Sequence, residues 1–392
     1  MVSGNTVMSL ANDIKDELVQ LWKRLHMQPE LGYEEYKTSE LIAEYLTELG
    51  LSVRRCVGKT GVVGVLEGTK PGNVVGLRAD IDGLPVQEEN EFEHKSVIDG
   101  RMHACGHDSH TAMLLGTAKL LSENRENLAG TVKFVFQPAE EYVTGAQAMI
   151  DDNVMHDPDI DLMLALHVIP DIPSGHIEIK SGAITSSTDE FVIRIIGKGG
   201  HGSNPQLAID PIMTGAQLVT AIQTIVSRKI SPVMPAAVSF GSFHGGNKSN
   251  TIPAAVDMNG TIRCQDEGVR RLIAEQLHQI TKGICEASGT EYQLKINDLV
   301  PCTFNDDKLC REFIQLSLNL LDKDAIEIPS YSRTYGEDFS LFAQRVPSVL
   351  FYLGTRNEEK GCVNPLHSPV FKLDEDVLVL GVALFANFCF NR

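Results

Sequence analysis

Basic residues are scarce in this sequence. Lys and Arg number 34 against 52 Asp and Glu, so the 392 residues carry a net charge of −18. Phosphate backbones are held by basic patches, and no Lys/Arg cluster supplies one, which excludes nucleic acid as a partner. Long apolar runs are lacking as well. The longest uncharged one, "VLVLGVALFANFCF" near the C-terminus, falls short of the roughly 20 residues needed to span a bilayer, so no membrane partner is expected. The N-terminal stretch lacks the charged-then-apolar pattern of an export signal. The eight cysteines, at positions 56, 105, 264, 285, 302, 310, 362 and 389, lack close paired spacing. A reduced, cytoplasmic protein with free thiols is the expectation. Internal repeats and low-complexity segments are absent too.

What is present fits a soluble globular protein: 43% hydrophobic and 22% charged residues, over a length that suggests two or three domains. The most unusual stretch is Met102–His110, which crowds His103, Cys105, His107, Asp108 and His110 just before the apolar run "TAMLLGTAKLL". Ligand-type residues ahead of a helix suggest a strand-to-helix loop, where open α/β sheets place their chemistry. Cys105 and His107 are both able to bind a borderline-soft divalent metal, though a polar helix-capping loop is an equal reading of that pair alone.

In chain order, apolar spacing predicts a helix over 8–27, stopped by Pro29, and another over 36–49, closed by Gly50. "LSVRRCV", "GVVGVLEG" and "NVVGLRAD" read as strands. Asp80 and Asp82 end the third and share one face; taken alone they read as turn formers. "GTVKFVFQPAEE" is a buried strand ending on Glu140 and Glu141. At an irregular strand end two adjacent carboxylates are able to approach one site, one as ligand and one as general base; a solvated acidic loop is the commoner case. "DLMLALHV" places His167 near a strand end, "GHIEIKSG" and "SVLFYLGT" are further strands, and His367 lies in the loop before the last helix. Each of these histidines is weak alone. Together Cys105, His107, Glu141, His167 and His367 make five ligands, which suit two metals sharing a bridge better than one tetrahedral zinc.

Residues 187–298 read differently, as β-α-β-β-α-β, the ferredoxin-like order. They interrupt an α/β domain whose segments are 1–186 and 299–392. The expected fold class is therefore α/β, a catalytic domain with a central mixed sheet flanked by helices, plus an inserted α+β domain. Within the insert His201 on a glycine-rich turn, Asn250 and Arg263 stand out, although each has a plain structural reading.

The ordered set "LRADIDGLP", "MHACGHDSHTAMLLG", "FVFQPAEE", "ALHV", "GKGGHGS", "NTIP" and "LHSP" resembles the aminoacylase/carboxypeptidase family of di-metal hydrolases, the M20-type metallopeptidases, along nearly the whole chain. It is most similar to the amidohydrolase branch, with hippurate hydrolases, auxin-conjugate hydrolases and N-acyl-amino-acid deacetylases. The resemblance implies two divalent metals, zinc or manganese, with cobalt or nickel as alternatives. It implies that Cys105 bridges them, that His107, Glu141, His167 and His367 complete the sites, and that Glu140 is the general base and acid. Asp82 would orient a ligand, and Asp80 would not itself be one. The insert would be a lid that makes a homodimer, His201 an oxyanion donor to the neighbouring subunit's site, and Asn250 and Arg263 the grip on a substrate carboxylate.

The implied reaction is hydrolysis of an N-acyl-L-amino acid to a carboxylic acid and a free amino acid. A di- or oligopeptidase with the same site is the alternative, and a scaffold that has lost activity is a third reading, which the presence of every site residue disfavours. Asn204-Pro205-Gln206 departs from the resembled pattern, where histidine is common at the place of Gln206, and this touches substrate choice.

Overall fold

The computed structural model describes residues 2–392. The chain divides into two compact units. The first runs to Ile184 and takes in Phe304–Tyr331 and Asp338–Arg392; the second comprises Thr185–Thr303 and Ser332–Glu337. These boundaries differ from 186/187 and 298/299 because the last strand of the insert continues to Val300 and a later stretch returns to it.

The predicted first helix is two helices, α1 (Gly4–Asp13) and α2 (Lys15–His26), because Ile14 leaves the helical region with φ −100 and ψ 7. Ser3 caps α1 through Thr6 N. Asp16 and Glu17 begin α2 and Lys23, Arg24 and His26 end it, as the helix dipole favours. Next come α3 (Tyr36–Glu48), β1 (Ser52–Val57), β2 (Gly61–Glu67), β3 (Lys70–Asp80), α4 (His107–Glu123), β4 (Ala129–Gln137), α5 (Gly145–Asp151) and β5 (Leu162–Pro173). "GHIEIKSG" contributes only the short β6 (Ile177–Glu178). The inserted elements are β7 (Thr188–Ile196), α6 (Pro211–Thr224), β8 (Ala236–His244), β9 (Ala255–Cys264), α7 (Glu267–Ser288) and β10 (Glu291–Val300). Then follow α8 (Asp307–Ser317), β11 (Ile326–Glu327), β12 (Ser348–Arg356) and α9 (Val377–Asn391).

In the first unit eight strands form one mixed sheet in the order β1-β2-β4-β3-β5-β12-β6-β11. Its centre, β4-β3-β5-β12, is parallel. Parallel strands are covered on both faces, which is why β5 and β12 read as unbroken apolar runs. The two faces separate by parity. Leu164, Leu166, Val349, Phe351 and Leu353 join one core with residues of α1–α4, α8 and α9. Met163, Ala165, Leu350 and Tyr352 join another with Ala146 and Met149 of α5 and with Phe339 and Phe342. Among the described residues no helix is long and apolar enough to cross a membrane.

In the second unit four antiparallel strands run in the order β8-β9-β7-β10, so the first strand of the β-α-β-β-α-β succession lies inside the sheet, as in ferredoxin-like folds. Phe191, Ile193 and Ile195 of β7 alternate with exposed neighbours and pack on Leu218 and Ile222 of α6 and Ile273 and Leu277 of α7. Asp210 caps α6 ahead of Pro211, Asp266 caps α7, and Gly289 at φ 67 ends it.

Candidate metal centre and active site

The centre lies in the first unit, at the carboxyl ends of the parallel strands, where open α/β sheets bind ligands. β3 ends on Asp80, β4 leads into the turn holding Glu140 and Glu141, and α4 begins at His107. Gly106, at φ 85, caps α4; a Cβ there would stand 2.4 Å from Val168 Cγ2, so only glycine lets the loop lie against β5. His167 is not at a strand end, because β5 continues to Pro173.

Five predicted ligand residues meet here. Cys105, His107 and His167 form one group of donor atoms, and Cys105, Glu141 and His367 another, each within 4.8 Å. The thiol belongs to both groups. Its Sγ lies 3.6 Å from His167 Nε2 and 3.3 Å from His367 Nε2. Glu140 Oε2 stands 3.9 Å from His107 Nε2, so the neighbouring carboxylates both reach the cluster.

The remaining ring nitrogens are taken. His107 Nδ1 donates to Asp82 Oδ1 at 3.0 Å, and His167 Nδ1 to the Val168 carbonyl at 2.7 Å, so each ring turns its Nε2 toward the cluster. Asp82 Oδ2 accepts from Glu141 N at 3.0 Å, so one carboxylate sets both ligand-bearing segments. His367 adopts φ 64, and its amide donates to the Ala104 carbonyl. Buried His107 Nε2 and Glu141 Oε1 lack hydrogen-bond partners. Buried polar atoms are almost always satisfied, so an orphaned nitrogen and an orphaned carboxylate oxygen aimed at a shared thiol fit divalent cations.

The charge balance agrees. Burial, and then the Glu141, Glu140 and Asp80 carboxylates, hold the Cys105 thiol well above its ordinary range. Burial disfavours charge on His107, but Asp80, Asp82 and Glu141 outweigh it and raise the imidazole to about 10. Burial, reinforced by His110, keeps His167 neutral. With carboxylates in excess, protons stand where cations would, and a dication reverses the balance at the thiol.

Residues with no ligand role in the sequence reading support the centre, among them Arg78, His26 and Asp338, which sequence reasoning did not single out at all. Asp80 is near His107, but its oxygens accept from His110 Nδ1 (2.5 Å) and Arg78 Nη1 (2.8 Å). His110 Nε2 accepts from Val168 N at 2.9 Å, which fills both of its nitrogens. Buried Arg78 also donates to Gln137 and Asp338. An arginine inside an apolar strand was the available signal, since such a charge requires buried partners. His26 donates to Asp108 Oδ2 at 2.7 Å and approaches Glu88 at 3.1 Å.

In the second unit, His201 lies on a two-residue strand paired with Thr251–Ile252, and Gly202 N donates to the Asn250 carbonyl, so His201 and Asn250 adjoin. Both are exposed. His201 Nδ1 accepts from Ser203 N at 3.1 Å, which leaves the proton on Nε2. Arg263 is half-buried on β9 opposite Ala237, and among the described residues no carboxylate pairs with it. Gln206 sits on the exposed turn Pro205–Leu207.

The family model "Peptidase family M20/M25/M40" matches residues 76–391. The chain is similar to thermostable carboxypeptidase 2 of Saccharolobus solfataricus, with 42% identity over 387 residues covering 97% of each chain. It is similar to N-acetylcysteine deacetylase of Bacillus subtilis, 35% identical over 94% of this chain and 95% of that one. A solved structure of the Bacillus subtilis YXEP protein, described as a dinuclear metal-binding peptidase from the M20 family, superposes with a TM-score of 0.84 at 31% identity, covering 97% of this chain and 98% of that one. The shared-thiol centre and these matches agree: the chain belongs to peptidase family M20/M25/M40 and is a metal-dependent hydrolase.

Proposed function

We propose that the protein hydrolyses the amide bond of N-acyl-amino acids, releasing a carboxylic acid and a free amino acid. The observation that carries the reading is the pair of donor groups sharing the Cys105 thiol, with Glu140 beside them and Asp82 behind them. In this reading two divalent ions would share the Cys105 thiol, with His107 and His167 available to hold one and Glu141 and His367 the other. The thiolate favours zinc by its softness; manganese is the alternative. Bound there, such ions supply Lewis acidity and make water acidic near neutral pH.

Glu140 takes the proton of the attacking water and returns it to the leaving amine. Asp82 keeps the His107 tautomer and the Glu141 backbone in place. His201, with Nδ1 already engaged, donates from Nε2 to the developing oxyanion. Arg263, which pairs with no carboxylate among the described residues, grips the substrate α-carboxylate together with Asn250. The second unit acts as a lid and as the contact of a homodimer. The eight free cysteines support a reducing, cytoplasmic setting.

A peptidase reading is favoured by the 42% identity to a carboxypeptidase. An N-acyl-amino acid and a peptide C-terminus both present an amide followed by a carboxylate, so one grip serves either. A panel of N-acetyl- and N-benzoyl-amino acids beside the matching dipeptides decides. Higher kcat/KM for the acylated series supports the proposal, and higher values for substrates with a free α-amino group replace it with the peptidase.

A further inference from the structure

Outside the donor groups lies a buried acid that the chemistry above does not use. Glu35 is 0% exposed. One oxygen accepts from the Ala139 amide at 2.8 Å and the other from Thr60 Oγ1 at 2.5 Å. Ala139 is the residue before Glu140. A carboxyl group withdrawn from water is costly unless its hydrogen bonds are made, and here half of that bonding capacity serves one backbone amide of the Glu140 turn.

The turn needs such a hold. Ala139 (φ 51, ψ 41) and Val143 (φ 50, ψ 35) bracket Glu140–Tyr142, and both occupy the left-handed region that non-glycine residues rarely adopt. Backbone of this kind persists only where its surroundings over-determine it. Three further contacts do so. Glu141 N donates to Asp82, Thr144 Oγ1 accepts from Tyr33 OH at 2.8 Å, and Gly145 packs so closely that a Cβ would stand 1.6 Å from the Pro138 carbonyl. Gly145 N also donates to the Ala139 carbonyl at 3.3 Å, but among these contacts only Glu35 grips the Ala139 amide, on the N-terminal side of Glu140.

We propose that Glu35 is a positioning residue, which fixes the strained turn at Ala139 and thereby aims the Glu140 carboxylate; this rests on the reading of Glu140 as the general base. Charge is not required for that task, because an Oε accepts from Ala139 in either protonation state. Reach is required, because the same side chain must span from Thr60 to Ala139.

Two variants separate these demands. Glu35→Gln keeps the reach and loses the charge. Glu35→Asp keeps the charge, and with it a good prospect of folding, but is one methylene too short to hold both partners. In the metal-loaded protein, Glu35→Asp is expected to lower kcat roughly 10- to 100-fold with KM and metal content near wild type, since small displacements of a catalytic group carry such penalties. Amide exchange over 139–143 is expected to quicken while β4 stays protected. Glu35→Gln is expected to restore both kcat and protection.

Unchanged protection in Glu35→Asp overturns the proposal, as does faster exchange with unchanged kcat. Impairment of Glu35→Gln with a normal Glu35→Asp also overturns it, by showing that charge is what matters. Failure of the underlying reading looks different: Glu140→Gln would then turn over normally whatever happens at position 35.

Discussion

Glu140 and Glu141 are chain neighbours whose surroundings give them different work. The Glu141 amide is tied to Asp82 and its carboxylate lies 3.3 Å from His367 Nε2, inside the second donor group. Glu140 leans toward His107 Nε2. In the proposed mechanism Glu140→Gln retains metal and loses turnover by roughly 10²-fold or more, while Glu141→Gln first loses metal. Metal analysis beside steady-state rates distinguishes them, and the opposite pattern exchanges the two roles. Cys105→Ala removes the donor common to both groups, so metal and activity are expected to fall together; full metal content with normal turnover in that variant would refute the bridge. At this scale much was legible. Cys105 and His107 announced themselves by crowding, and Glu140 and Glu141 by ending an apolar strand. His167 and His367 gained weight only from a set whose order along the chain resembles a family. Arg78 and Asp338 stayed hidden, and the role of His110 with them, because what marks these residues is which buried atom each one faces, and spacing along a chain does not encode that.

Helix α4 carries the loop of the centre at its first turn, and its second residue fixes that turn from behind. Asp108 accepts from His26, which also faces Glu88. Burial opposes a charge on His26, but the Asp108 and Glu88 carboxylates overcome it and raise the imidazole to about 9 from an ordinary 6.5. A folded-state pKa above the unfolded one gives stability that is fully present below about 6.5 and is lost as pH rises through about 9. That contribution is on the order of 3 kcal/mol. Urea unfolding of metal-free protein at pH 6, 7.5 and 9.5 is expected to show wild type falling toward a His26→Asn variant as the pH climbs, and parallel pH profiles would reject the pair as the source. Elements with a clear apolar period, such as α3, α7, β7 and β9, were legible from sequence within a few residues. The break at Ile14 was not, because both halves keep their apolar side toward the same core. The short helix α5 and the amphipathic α8 also passed unseen. Seven residues are too few for α5 to show an apolar period.

Across the whole molecule the proposed lid gives a test by complementation. His201→Ala is expected to lower kcat by ~10²–10³ with metal retained, as for loss of one oxyanion donor. Mixing it with Glu140→Gln under conditions of subunit exchange is expected to restore part of the activity if each site draws His201 from the neighbouring chain. Exchange verified by mass with no recovery assigns the histidine to its own chain or to no catalytic part. Connectivity has a different consequence, in the order of synthesis. Every strand of the second sheet is contiguous within Thr185–Thr303. The first sheet is not closed until β12 arrives, for its register pairs Ser348 with Met163 across the whole of the second unit. On a ribosome, with domains folding as they emerge, the inserted sheet is therefore complete while β5 still waits for its neighbour. His367 leaves the exit tunnel after that, last of the five ligands, so a nascent chain holds four of them, with one donor group incomplete, until translation has passed the final strand.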